Sequence, residues 1–157
     1  MTSARFEFRK ALVEALSQDS ALADVAVDYG WSGELRTREE IFLTETSGSK
    51  EVPVFTGPPT AANPLHYDDL FKFTVTCLAW KAGQSSEEAD ERGDQLALVV
   101  ERILREDPTL AADTARWVVI AGTITDQRSI TSRSKEGFTS TVEVDVEVHT
   151  RISGPAE

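Results

Sequence analysis

Cysteine is almost absent. Cys77 is the single thiol, so the sequence holds neither an intrachain disulfide nor a multi-cysteine zinc site. It reads as a small apolar residue on a strand. Histidine is nearly as scarce, with only His66 and His149. There is no HExxH, no histidine pair at helical spacing and no carboxylate loop of EF-hand spacing, which argues against a metal site. No Gly-x-Ser-x-Gly elbow marks a serine nucleophile. The stretch Thr46-Ser47-Gly48-Ser49-Lys50 faintly resembles a phosphate loop, but it lacks the upstream glycine, the Ser/Thr after the lysine and a following helix. The reading is therefore a non-enzyme without catalytic residues, cofactor or metal.

Long apolar runs are also missing. Nothing approaches the roughly 20 residues that span a bilayer. Charges at Arg5, Glu7, Arg9, Lys10 and Glu14 interrupt the N-terminal stretch, so it has no secretory apolar segment. Synthesis and use in the cytoplasm, with no membrane partner, is the expectation. Positive charge is short too: 16 Lys and Arg stand against 27 Asp and Glu, for a net charge of -11. So acidic a surface repels phosphates and anionic headgroups, which excludes nucleic-acid binding through a conventional basic patch. It remains compatible with DNA passing close by without sticking.

What is present is an ordinary globular mix, 40% hydrophobic and 27% charged over 157 residues, which fits one domain. Phe8, Leu12, Ala15 and Leu16 recur at helical spacing behind a cap at Thr2 or Ser3. Val25, Val27, Tyr29 and Trp31 alternate as in a strand, and residues 39–45 read as a second strand. Residues 46–66 hold Gly48, Pro53, Gly57, Pro58, Pro59 and Pro64 and read as a long extended loop, with Val52, Val54 and Phe55 as apolar anchors. Residues 69–80 form a strong strand with Phe71, Phe73, Val75, Cys77 and Ala79 on one face.

Residues 85–106 give the clearest helix. Ser85-Ser86-Glu87-Glu88 is a capping box, and Ala89, Gly93, Leu96, Val100 and Ile103 make one apolar stripe, widened by Val99 and Leu104. Pro108 marks its end. Two long strands follow at 116–129 and 138–152, linked by a hairpin tip at 132–137, and residues 153–157 form a tail. The order is α-β-β-loop-β-α-β-β. The expected fold is α+β, a mostly antiparallel sheet with both helices on one face. Val100, Ile103, Phe73, Val75, Val144 and Val146 should be buried together.

Three surfaces stand out. Glu143, Asp145 and Glu147 project from one face of the last strand, about 7 Å apart, as a solvated surface or as a wall facing a channel or partner. Glu87, Glu88, Asp90, Glu91 and Asp94 crowd the start of the second helix, where dipole and capping account for a solvated run. Arg128, Arg133 and Lys135 form a basic cluster in an acidic chain, suited to an acidic partner surface. With Val54 and Phe55 of the long loop they are the candidate contacts to other subunits. Trp31, Trp80 and Trp117 occupy strand positions and read as core, with Trp31 or Trp80 as possible interface anchors.

The order of elements, with several local patterns, resembles a tail terminator protein of long-tailed, siphovirus-type bacteriophages. The matching features are the N-terminal helix, the strands at 25–31 and 39–45 and the proline-rich loop. They continue with the 67–80 strand running into Lys81-Ala82-Gly83, the 85–107 helix closing on Asp107-Pro108-Thr109-Leu110, and the strands at 117–124 and 142–151. The resemblance spans residues 1–157 as a single domain. It implies a homohexameric ring on the last ring of the tail tube, in the neck of a virion made in the bacterial host cytoplasm. Such a ring stops tube polymerisation and joins the tail to a head-side neck or connector protein, so its partners would be itself, the tail tube protein and that connector. The acidic face at Glu143, Asp145 and Glu147 would then line the lumen, where DNA passes without specific binding. Two alternatives are another virion neck, head–tail adaptor or tail-completion protein, and a small-ligand-binding α+β domain, which would need a deep pocket with convergent polar groups.

Overall fold

The computed structural model describes residues 3–31, 33, 38–50, 66–82, 85–114 and 117–153. Helix α1 (Ala4–Gln18) starts at Ser3, whose hydroxyl accepts a hydrogen bond from the Phe6 N–H, supplying one of the partners a first helical turn lacks. A 3₁₀ turn at Ser20–Leu22 leads to the short strand β1 (Ala26–Asp28). Strands β2 (Glu39–Lys50) and β3 (His66–Ala82) follow, then helix α2 (Ser86–Glu106) and the long hairpin β4 (Trp117–Ser134) and β5 (Gly137–Ser153). One sheet of order β1-β2-β3-β5-β4 results. Among the described residues β1–β2 is the one parallel pair; β2–β3, β3–β5 and β4–β5 are antiparallel. The α+β class and the element order expected from the sequence are found.

Both helices lie on the same side of the sheet. α1 buries Ala4, Phe8, Leu12 and Leu16, one every fourth residue. α2 buries Ala89, Gly93, Leu96, Ala97, Val100, Ile103 and Leu104. These stripes meet Phe71, Phe73, Val75 and Cys77 of β3 and Val142, Val144, Val146 and Val148 of β5 in one cluster. The six residues expected to share the core are all in it. Each fully buried Leu, Val or Phe contributes about 1.5–3 kcal/mol of burial, so the alternation in β3 and β5 fixes which sheet face takes the helices. Phe8 meets Phe71 and Phe73 edge-on, with centroids 6.4 and 6.2 Å away.

Two glycines set how closely the layers approach. A Cβ on Gly93 would fall on the Ser140 hydroxyl of β5, 3.0 Å from Ser140 Cβ and 3.1 Å from Val142 Cγ2. A Cβ on Gly122 of β4 would overlap the tip of the Phe8 ring.

Some boundaries differ from the expected ones. The strand expected over 25–31 is hydrogen-bonded only over Ala26–Asp28. Strand β2 runs past Glu45 to Lys50, through the first five residues of the expected 46–66 loop, because β3 offers partners as far as Asp69. A bulge between Thr44 and Thr46, with Glu45 at φ 38, bends this strand. Strand β4 continues to Ser134, so the tip expected over 132–137 shrinks to Lys135 and Glu136. Gly137 follows at φ 148, a backbone that glycine adopts without penalty.

Candidate interaction surfaces

The sheet face away from the helices is polar. Pairing of β3 with β5 sets Lys72 opposite Glu147, Thr74 opposite Asp145 and Thr76 opposite Glu143. Pairing of β4 with β5 sets Arg128 opposite Glu143 and Asp126 opposite Asp145. All three carboxylates read from the sequence as a row therefore do share this face. They are not bare. Lys72 Nζ lies 3.4 Å from Glu147, and the Thr74 hydroxyl donates to Asp145 at 2.8 Å. The Arg128 guanidinium donates to Asp145 at 2.7 and 3.1 Å and to Glu143 at 3.1 and 3.3 Å, and it reaches Asp126 at 3.2 Å. Hydrogen bonds donated to Asp145 first, then to Glu143, raise the guanidinium's pKa. The same contact, with the Thr74 hydroxyl in support, lowers that of Asp145.

A second polar cluster lies toward the far end of β5. Arg151 donates to Asp68 at 2.7 and 3.2 Å, and a His149 ring nitrogen is 2.8 Å from the same carboxylate. The Arg151 hydrogen bond is the main cause that holds Asp68 at about 2, below its ordinary 3.8. On the helix side, Arg5 of α1 forms a two-pronged pair with buried Asp69 at 2.9 and 3.1 Å, the planar match that arginine makes best with carboxylate. Arg92 and Arg102 of α2 reach Glu39 and Asp19, each at 2.6 Å.

The basic cluster read from the sequence is therefore split. Arg128 is engaged on the outer sheet face, whereas Arg133 and Lys135 sit at the hairpin tip. Arg133 lies over the Phe138 ring at 5.8 Å. Every residue from 125 to 136 is exposed, Ile130 to 70%. Val54 and Phe55 lie outside the described residues. Trp31 is exposed and packs on Phe42 at 4.9 Å between centroids, and Trp80 lies under the Arg38 guanidinium at 5.7 Å.

Beside the hairpin, Glu87, Asp90, Glu91 and Asp94 line a groove of about 380 Å³ with Ser129 and Val142. The Thr131 hydroxyl donates to Asp90 at 3.3 Å and the Gln127 amide to Asp94 at 3.4 Å. A second groove of about 480 Å³ continues along α2 and β4, lined by Glu101, Leu104, Arg105, Pro108, Gly122, Thr123 and Ile124. The carboxylates read from the sequence as a solvated run thus form one wall of a groove; their i, i+3, i+4, i+7 spacing was the signal that they share a face. Neither groove holds an arrangement of nucleophile, base and orienting group. Among the described residues no group of three or more His, Cys, Asp or Glu is placed to hold a metal, and no helix is long and apolar enough to cross a membrane. Cys77 is buried, and burial pushes its thiol up to about 12.

No protein family and no curated protein matches the chain. Among solved structures, it is similar to a chain of "Virion of native gene transfer agent (GTA) particle", with a TM-score of 0.57 and 13% identity. The likeness covers 98% of this chain and 100% of the other. At that identity the likeness establishes a shared fold, running end to end in both chains.

Proposed function

We propose that the chain is a structural component of a virion, a ring subunit that caps a tail tube, stops its polymerisation and joins the tail to a head-side neck protein. The observation that carries this reading is the end-to-end fold likeness to a chain of a gene transfer agent virion. The order of elements, which resembles tail terminators, supports the finer assignment. Six copies would surround the tail axis in the neck, with the tube protein on one side and the connector on the other. The face bearing Glu143, Asp145 and Glu147 would line the channel. Acids outnumber cations there even after Arg128 and Lys72 are paired, so phosphates would slide by without being held.

The test is to assemble tails in extracts that lack this chain. Overlong tubes, restored to normal length by adding the purified protein, are the expected result. Tubes of normal length without the chain would refute the capping role.

A further inference from the structure

We infer that neighbouring copies of the chain hold one another by inserting the basic hairpin tip of one copy, Arg133 and Lys135, into the acidic α2–β4 groove of the next. The inference rests on the ring reading above and deepens it by naming the contact.

The charge pattern carries the argument. Seven cations of the described residues are spent inside the chain: Arg5, Lys72, Arg92, Arg102, Arg105, Arg128 and Arg151 all form ion pairs. Arg133 and Lys135 form none; Arg133 has only the Phe138 ring beneath it. They stand at the end of an exposed two-stranded arm, beyond its last hydrogen bond to α2 at Thr131. The groove shows the converse. Glu87, Asp90, Glu91 and Asp94 face it at helical spacing, and the hydrogen bonds they accept come from neutral Thr131 and Gln127. Four carboxylates without a cation and two cations without a carboxylate are complementary surfaces on one chain.

Their placement favours a head-to-tail contact. The tip lies at the end of the arm and the groove along its flank, so the two patches are different surfaces. A contact between different patches of identical chains is the kind that propagates and closes into a ring.

Two charge-altered proteins test it: R133E/K135E, with an acidic tip and an acidic groove, and E87K/E91K, with a basic tip and a groove whose four acids become two lysines beside Asp90 and Asp94, with no net charge. All four positions are exposed, so both should melt as wild type does. Assembly is read as mass by light scattering, on the full chain alone and on tube ends. Each variant alone should need about tenfold more protein to assemble, the scale of a lost charge pair. Mixed in equal amounts they should assemble again, because the acidic tip of one meets the two groove lysines of the other while the basic tip of the second meets the intact acidic groove of the first, and a ring with an even number of subunits closes in alternation. Rings from either variant alone at wild-type concentration would overturn the contact while leaving the ring standing. So would a mixture of two folded variants that stays dispersed. A wild-type chain that is monomeric both alone and on tubes would instead overturn the ring reading itself.

Discussion

Replacing Gly93 by alanine sets two sizeable effects against each other. In an exposed helix interior the change stabilises by about 0.8–1 kcal/mol, because alanine is the better helix former. Gly93, however, is buried in the middle of α2 and faces β5. The new methyl would land on the Ser140 hydroxyl. Rotating that hydroxyl away does not solve the problem, because Ser140 Cβ at 3.0 Å and Val142 Cγ2 at 3.1 Å also crowd the methyl. The helix must lift by a few tenths of an ångström along a seam where Leu96, Val100 and Val144 are fully buried. Overpacking of this kind costs about 1–3 kcal/mol. The packing penalty should win, leaving a net loss of about 1 kcal/mol and a melting temperature lower by about 2–4 °C. Urea denaturation of G93A, S140A and the double variant measures it. Removing the Ser140 hydroxyl should recover part of the loss, a coupling of at least about 0.5 kcal/mol. If G93A is more stable than wild type by the full helix-propensity gain, α2 does not approach β5 as described.

Three further outcomes follow from the core and the polar clusters. Val144→Asp places a carboxylate where the wild-type side chain is wholly enclosed. It should cost on the order of 3–5 kcal/mol, and unchanged melting would mean that the faces of β5 are reversed. Cys77, buried and with its thiol pushed up to about 12, should resist thiol reagents in native protein and react once urea unfolds it; rapid native labelling would contradict its burial. Asp68 is held at about 2, below its ordinary 3.8, so its stabilising effect is complete above about pH 4 and disappears as the pH falls towards 2. Melting curves of wild type and Asp68→Asn across that range should converge at the acid end, and curves that stay parallel would show that Asp68 gains nothing from Arg151.

Much of the fold is legible in the sequence because the core faces are periodic. The alternating valines of β5 and the stripe from Ala89 to Ile103 locate themselves, and those elements are where the sequence places them. Strand β2 beyond Glu45 is not legible, since Thr46, Ser47, Gly48, Ser49 and Lys50 carry no apolar alternation and are held in the sheet by their partner strand. The surfaces are harder, because they depend on register. Nothing local says that Asp68 will face Arg151 or that Lys72 will face Glu147. Arg128 and Arg133 are five residues apart, and because β4 runs on to Ser134 they point to opposite faces of the strand. The α2 carboxylates became a groove wall only when β4 was laid beside them.

The proposal that this chain works as an assembled ring in the neck of a virion can be tested on whole particles. The most direct measurement is an electron cryomicroscopy reconstruction of particles that contain it. Six copies are expected around the tail axis at the head-proximal end of the tube, with the Glu143, Asp145 and Glu147 face turned to the channel. A lone copy, or copies placed off the axis, would contradict it.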